Sequence, residues 1–265
     1  MQNNSSPSSD AALPVGINVN KNSQSRFVSD GLRSFLEYRD LGVKAATDGR
    51  WRASLSRSTA AMPGGTGTHR HRLDVQLIYV LNGSATFEYA QYGEITVISG
   101  DCIYQPSTIV HQQTDRTRDC VVLEIVSPAQ FPTMDSEIEA YIEPDDGPLQ
   151  RFSVVRAADV GYTAHPFRDW MVRRDLGIDA ATGGRVVAQL SRISPTTAMQ
   201  VESSVNDAPL YLLFGLQGFC RLRFEGGQEI TLLPSDCITI AAGCSYELLE
   251  CDPAFECLEV WSAAT

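Results

Sequence analysis

The stretch that decides the fold runs over residues 64–83 and reads GGTGTHRHRLDVQLIYVLNG. It holds His69 and His71, separated by one residue, and then Gln76 within an apolar run. Side chains of a strand alternate between its two faces, so both histidines are expected on one face. Gln76 lies five residues after His71, so a turn or bulge between them is needed to bring its amide to that face. A further histidine, His111, follows on a later predicted strand.

The chain repeats itself. Sliding the sequence by 135 positions, so that Arg39 meets Arg174, aligns it with itself without a gap. The shared segments include 39–42 with 174–177, 55–57 with 190–192, 94–96 with 229–231, and 101–103 with 236–238. The potential metal ligands are not shared, because their partners in the second copy are Ser204, Asn206, Tyr211 and Tyr246. The second copy therefore serves as an internal control for what the fold itself requires.

Each copy consists of short apolar runs separated by Gly and Pro turns, as in 75–81, 85–89 and 94–98. This rhythm is typical of an all-β sandwich or barrel. We predict a disordered N-terminus over residues 1–25, an N-terminal barrel with a metal site over 26–132, an acidic linker over 133–160 and a degenerate C-terminal barrel over 161–265.

Composition limits the possible partners. The net charge of −11 disfavours nucleic acid and anionic membranes, which bind clustered cations. No apolar run approaches the roughly 20 residues that cross a bilayer, and the N-terminus does not have the pattern of a secretory signal. Seven cysteines without a CxxC pair favour a reduced, cytoplasmic protein. A small-molecule substrate and a possible homodimer are the expected partners.

The histidine pattern resembles the signature of the cupin superfamily. That signature has a glycine-led HXH motif, a glutamate and a glycine, followed by a second motif with glycine, proline and histidine. Here the second motif is formed by Gly100, Pro106 and His111. The resemblance covers both copies and implies two tandem double-stranded β-helix (jelly-roll) barrels. It also implies one divalent metal ion in the first barrel, bound by His69, His71, Gln76 and His111.

The sequence departs from the family pattern at three positions. Pro63 stands where the opening glycine is expected, and Thr108 stands where the second motif has its last glycine. Most consequential, Gln76 replaces the usual glutamate. A neutral amide leaves a divalent site at +2, which makes the metal a stronger Lewis acid and favours an anionic or enolisable oxygen substrate. Iron, manganese, nickel and zinc all suit this ligand set.

Candidates for the pocket wall come from the same strands. Ile78 and Val80 share the parity of Gln76, while Ile109 and Gln113 share that of His111. Tyr104 and Gln105 precede Pro106 at the expected mouth, although Tyr104 is equally well placed to be a core aromatic residue. The predicted wall is mostly apolar and suits a small organic ligand.

The predicted metal site and pocket are compatible with three functions. The first is a metal-dependent dioxygenase acting on a small enolisable or aromatic substrate, as the resemblance to cupins with three neutral histidines implies. The second is a non-redox lyase, isomerase or polyketide-type cyclase that uses Lewis-acid polarisation. The third is a ligand-binding module with a structural metal. The second barrel is expected to have a structural task, either covering the first barrel or building a dimer interface.

Overall fold

The computed structural model describes residues 13–29, 31, 33, 35–59, 65–135, 137 and 150–263. The first copy contains the strands β1 (Ile17–Asn20), β2 (Leu36–Asp40), β3 (Arg52–Ser58), β4 (His69–His71), β5 (Val75–Asn82), β6 (Ser84–Tyr89), β7 (Gly93–Ile98), β8 (Cys102–Tyr104), β9 (His111–Arg116), β10 (Val121–Ser127) and β11 (Thr133–Asp135). Its helical turns are a 3-10 turn at Asn22–Gln24 and α1 (Val43–Ala46).

The second copy repeats this order. Its strands are β12 (Ser153–Val155), β13 (Thr163–Ala164), β14 (Met171–Asp175), β15 (Val186–Ile193), β16 (Glu202–Val205), β17 (Tyr211–Gln217), β18 (Cys220–Phe224), β19 (Glu229–Leu232), β20 (Cys237–Ile240), β21 (Ser245–Cys251) and β22 (Glu256–Ser262). Its helix α2 (Ile178–Thr182) is the counterpart of α1. No helix among the described residues combines the length and the apolar character needed to cross a membrane.

Each barrel is built from two antiparallel sheets. In the first barrel a sheet in the order β12-β8-β5-β10-β3-β2 accompanies one in the order β11-β4-β9-β6-β7. In the second barrel the orders are β1-β20-β17-β22-β15-β14-β13 and β16-β21-β18-β19. Alternating burial along β6 and β18 shows why the chain folds this way, since every second side chain of these strands enters a barrel interior.

The two copies exchange their leading strands. β1, from the first copy, pairs with β20 of the second barrel, so that Asn20 faces Cys237. β12, from the second copy, pairs with β8 of the first barrel, so that Val155 faces Cys102. These pairs are equivalent under the 135-residue offset, so the exchange is reciprocal and relates the barrels by a pseudo-two-fold operation.

This exchange corrects two domain boundaries. Residues 17–24 of the segment predicted to be disordered form β1 and a 3-10 turn. The predicted acidic linker over 133–160 includes β11, which pairs with β4, and β12, which pairs with β8. Such strands are difficult to predict from a polar sequence, because a strand at the edge of a sheet is held by backbone hydrogen bonds that do not depend on its side chains. Residues 1–12, 136 and 138–149 of the two predicted segments lie outside the described residues.

A matched pair of ion pairs anchors the exchanged strands. The ammonium of Lys21 lies 2.9 Å from the carboxylate of Asp236, and the guanidinium of Arg156 lies 2.9 Å from that of Asp101. Both carboxylates are buried, and each also accepts a hydrogen bond from a backbone N–H of the arriving segment. Asp101 and Asp236, which recur in both copies, therefore hold the barrels to each other's arms.

The barrels also share a hydrophobic core. One cluster of buried side chains draws Leu77, Tyr79 and Tyr104 from the first barrel and Leu212 and Phe214 from the second. Further clusters fill the interior of each barrel on its own. The second barrel therefore packs against the first through this shared cluster.

Candidate metal centre

The structure brings three histidines together at the inner face of the first barrel. His69 begins β4, His71 ends it, and His69 pairs across the sheet with His111 at the start of β9. Their ring centroids lie 4.6 to 5.4 Å apart, and one ring nitrogen from each forms a group within 4.8 Å. Such a convergence of imidazoles can hold a metal ion.

Hydrogen bonds orient the three rings. The Nδ1 of His69 lies 2.7 Å from the carbonyl oxygen of Gly67, and the Nδ1 of His111 lies 3.0 Å from that of Ile109. The Nδ1 of His71 lies 2.9 Å from the hydroxyl of Thr133. Because a carbonyl only accepts, His69 and His111 carry the proton on Nδ1 and keep the lone pair on Nε2. The rings of His69 and His111 are thus fixed in the tautomer that a metal ligand needs, and the ring of His71 is oriented by Thr133.

Burial keeps these imidazoles neutral. It lowers the pKa of His71 to about 3, with His111 and His69 as further causes, and it lowers the pKa of His111 to about 3, with His69 adding to the effect. Burial also lowers the pKa of His69. Near pH 7 all three rings are therefore uncharged and can donate lone pairs to a cation.

Gln76 reaches the same pocket. β4 ends at His71 and β5 begins at Val75, so the break in the strand required by the odd spacing is present. The side chain of Gln76 is buried, and its Nε2 donates a hydrogen bond of 2.9 Å to Oε1 of Glu124. With the nitrogen end of the amide held in this way, the oxygen end is the atom that can bind a cation.

The pocket in front of the histidines has a volume of about 720 Å³. Of the predicted wall residues, Ile78, Gln105 and Gln113 line it. Gln105 donates to the hydroxyl of Tyr89 at 2.7 Å, and its own amide oxygen is buried without a partner among the described residues. An unsatisfied buried acceptor on the wall of a pocket is suited to a hydroxyl donated by a ligand.

Three predicted wall residues belong to hydrophobic cores instead. Val80 and Ile109 are buried in a hydrophobic cluster of the first barrel and do not line the pocket, because strand parity determines the face of a side chain but not its depth. Tyr104 lies in the core shared by the two barrels, and its hydroxyl donates to the carbonyl of Asp74 at 3.2 Å. Tyr104 and Gln105 are adjacent along the chain, and of the two only Gln105 lines the pocket.

The sequence did not identify several residues that line the pocket, namely Arg33, Arg52, Phe87, Glu124 and Phe131. Glu124 recurs as Glu259 in the second copy, so the comparison of the copies does not separate it from the residues that the fold needs. Its position in the apolar strand VVLEIVS was a usable signal, since a buried-strand carboxylate needs a partner. Arg33 and Phe131 lie outside the strands, where neither alternation nor periodicity applies.

Thr108 shows how the motif survives a substitution. It adopts a left-handed conformation with φ of 64°, and its twin in the second copy is Gly243, with φ of 83°. The N–H of Thr108 donates to the carbonyl of His71 at 2.7 Å, so this turn adjoins the histidine strand. Both barrels therefore have a positive φ at this position, which explains why the motif has a glycine there.

In the second barrel, an arginine occupies the space in front of the equivalent positions. Tyr211 and Tyr246, the twins of Gln76 and His111, are buried, and their hydroxyls lie 3.3 and 3.2 Å from Nη2 of Arg168. Nη1 of Arg168 donates to the buried Glu259 at 2.8 Å. The cavity lined by Arg168, Tyr211 and Glu259 measures about 10 Å³, compared with about 720 Å³ in the first barrel. A separate hollow of about 550 Å³ is lined by His165, Arg168 and Glu202.

The ion pair sets the charge state of this interior. Burial alone would raise the pKa of Glu259, but Arg168, together with the hydrogen bonds from His165 and Ser191, holds that pKa well below its usual range. A guanidinium thus sits where the first barrel leaves room for a ligand. His165 is buried, and its Nε2 lies 3.4 Å from the carboxylate of Glu259.

The fold is shared with solved structures. The protein Ylba from E. coli superposes with a TM-score of 0.64 at 12% identity, over 96% of this chain and 94% of that one. Oxalate decarboxylase from Bacillus subtilis, studied for its Mn(II) centres, superposes with a TM-score of 0.66 at 10% identity, over 98% and 80% of the two chains. No family model and no curated protein matches the sequence.

The chain therefore has the all-β cupin fold, as the motif predicted. Its first barrel carries a three-histidine group that can hold a metal. The donor set fits a divalent ion, since the rings are neutral and fixed by Nδ1 hydrogen bonds, and an amide oxygen lies in the same pocket.

Proposed function

We propose that the first barrel is a metal-dependent enzyme site acting on a small enolisable or aromatic oxygen-containing substrate, with dioxygenation as its reaction. His69, His71, Gln76 and His111 would bind one divalent ion: iron, manganese, nickel or zinc. The observation that carries the proposal is the group of three neutral, oriented imidazoles facing a pocket of about 720 Å³. A pocket of this size accommodates a small organic molecule.

Residues of the chain itself account for substrate binding. Ile78, Phe87 and Val122 offer an apolar surface to an aromatic or aliphatic body. The unpartnered amide oxygen of Gln105 can accept a hydrogen bond from a substrate hydroxyl. Glu124, which lines the pocket behind Gln76, can accept the proton that an enolisable substrate loses. A bound metal would supply Lewis acidity and, in the case of iron, access to dioxygen chemistry.

Glu124 also favours a second candidate, a non-redox lyase, isomerase or cyclase. With an amide in place of the usual carboxylate ligand, the site lacks a carboxylate at the metal, and Glu124 restores one at a distance of one hydrogen bond from Gln76. A carboxylate held near a Lewis acid can move a proton without any electron transfer. This candidate requires activity that persists without oxygen and with zinc.

The test measures metal content and oxygen consumption together. Protein loaded with Fe(II) is presented with β-diketones and hydroxylated aromatics, and oxygen uptake is expected on at least one of them. His111→Ala should lose both metal and turnover, while His165→Ala, which removes a histidine of the second barrel, should keep the metal. Activity that survives anaerobically with Zn(II) would select the non-redox candidate. Loss of thermal stability in His111→Ala without any turnover or ligand binding in the wild type would indicate a structural metal.

A further inference from the structure

Arg33 and Arg168 occupy equivalent positions in the two copies. Each lies just before a barrel strand, β2 or β14, and each is followed by the same turn. The N–H of Leu36 donates to the carbonyl of Arg33 at 3.0 Å, and the N–H of Met171 donates to that of Arg168 at 3.0 Å. The two arginines therefore occupy equivalent backbone positions. Arg33 lines the pocket of the first barrel, and Arg168 lines the small cavity inside the second.

In the second barrel the guanidinium is fully engaged by the chain itself. Arg168 pairs with Glu259 at 2.8 Å and with Glu202 at 3.2 Å, and it donates to the hydroxyls of Tyr211 and Tyr246. The charge of the arginine is neutralised by carboxylates within the barrel. This barrel thus shows what kind of group a guanidinium at this position binds.

In the first barrel those partners are missing or already engaged. Gly67 is the equivalent of Glu202 in the first copy. The two tyrosines that contact Arg168 have Gln76 and His111 as their equivalents, so neither tyrosine hydroxyl is present in the first barrel. The twin of Glu259, Glu124, accepts hydrogen bonds from Gln76 at 2.9 Å and from Arg52 at 3.4 Å. Within the described part of the chain, the guanidinium of Arg33 makes no hydrogen bond or ion pair, although it lines the pocket together with the histidines.

We infer that Arg33 binds a carboxylate group of the substrate, which makes the substrate class a small carboxylic acid with an apolar or aromatic body. The inference rests on the proposed function, because it assigns a ligand to the same pocket. A guanidinium presents parallel N–H groups that match the two oxygens of a carboxylate. Leu36, Val122 and Phe131, which line the same pocket, would contact the apolar body. The substrate carboxylate would form an ion pair with Arg33, as Glu259 does with Arg168.

The test compares charged ligands with neutral analogues of the same shape. Calorimetric titrations of the zinc-loaded full chain use benzoate, phenylacetate and phenylpyruvate, with benzamide and phenylacetamide as neutral counterparts. Arg33→Met should weaken binding of the acids at least about tenfold, because it removes a charge-assisted hydrogen bond, and should leave the amides unchanged. Arg33→Lys should keep part of the affinity for the acids. Arg26→Met removes an exposed arginine outside the pocket and should match the wild type.

Two results would overturn the inference. One is equal binding of an acid by the wild type and by Arg33→Met. The other is wild-type protein that binds none of the three acids below about 10 mM, a weak limit for a specific site. Zinc content and melting temperature are measured for every variant, so a folding defect is recognised separately. If the wild type binds none of iron, manganese, nickel and zinc, the proposed function fails, while titration of the metal-free protein with the same acids still tests Arg33.

Discussion

At position 76 an amide stands where the cupin motif has a carboxylate, and Glu124 lies one hydrogen bond behind it. The amide nitrogen of Gln76 donates to the carboxylate of Glu124, and the amide oxygen remains available to bind a cation. A carboxylate is therefore present one hydrogen bond away from the amide, at a position that is also glutamate in the second copy. A cation bound there would face a neutral amide, while a proton acceptor remains within the pocket.

A charge swap tests this pairing. Gln76→Glu alone places two carboxylates at hydrogen-bond distance, so one must take up a proton and metal binding should improve little. Gln76→Glu combined with Glu124→Gln restores the hydrogen bond with its direction reversed and puts the charge at the metal. We expect the double variant to bind zinc at least about tenfold more tightly than the wild type. Competition with a chromogenic chelator measures the relative affinities for zinc, with Glu88→Gln as a control at a half-buried carboxylate–amide pair outside the pocket. Equal affinities in all variants would contradict the pairing.

The Arg168–Glu259 pair is the residue-scale feature that distinguishes the second barrel. Arg168→Met leaves the carboxylate of Glu259 buried without its main counter-charge, so the free energy of unfolding should fall by about 3–5 kcal/mol. The double variant Arg168→Met with Glu259→Gln should recover part of this loss. Urea denaturation measures both changes. Arg223→Met breaks exposed ion pairs of the same barrel and should leave the free energy of unfolding close to that of the wild type. Comparable losses for Arg168 and Arg223 would show that the buried pair is not special.

At the scale of elements, the exchanged strands β1 and β12 join each copy to the other. β1 is short and only Ile17 of its four residues is buried, so pairing with β20 alone gives little apolar burial. The carboxylate of Asp236 adds the ammonium of Lys21 and the N–H of Asn22 to this attachment. The arm is therefore attached mainly by polar groups around one buried carboxylate.

Replacing that carboxylate should release the arm. In Asp236→Ala, the ammonium of Lys21 and two backbone N–H groups lose their acceptor, so residues 17–24 should exchange amide hydrogens faster and the stability should fall by about 3 kcal/mol. Hydrogen–deuterium exchange read by mass spectrometry measures the local effect. Asp169→Ala, at an exposed carboxylate, is the control. Unchanged protection of residues 17–24 would mean that the backbone pairing suffices.

At the scale of the whole molecule, the barrels are not separable units. Each sheet system includes a strand from the other copy, and one hydrophobic cluster contains side chains of both barrels. Cutting the chain between the copies would expose that cluster and leave an unpaired edge on each barrel. The two barrels should consequently unfold together.

Calorimetry tests this coupling. The full chain should show one transition, with a calorimetric enthalpy about equal to the van't Hoff enthalpy. Residues 26–132 and 161–265 produced separately should lack cooperative unfolding, whereas mixing segments that keep β1 and β12 should restore part of it. Two resolved transitions in the full chain, or stable isolated halves, would show that the exchanged strands and the shared core contribute little.

Much of the architecture was accessible from local pattern. Alternation and turns predicted the barrels, and the comparison of the copies separated His69, His71 and His111 from the residues that the fold needs. The exchanged strands escaped because their pairing is made through the backbone, which leaves no mark in the side-chain pattern. Val80 and Ile109 were misplaced because parity specifies the face of a strand but not its depth. Tyr104 lies in the core, which is the alternative that the sequence had also allowed.

What the sequence determined by itself is the content of each unit: its strands, its repeat, and the presence of ligand-type residues in one copy only. These features depend on short-range rules of alternation and spacing. Only the tertiary structure decided what those residues meet. It set Glu124 behind Gln76, left Arg33 at an open pocket, and enclosed Arg168 with Glu259. Contacts between residues far apart in the chain arise when sheets close into barrels, and no local pattern encodes them.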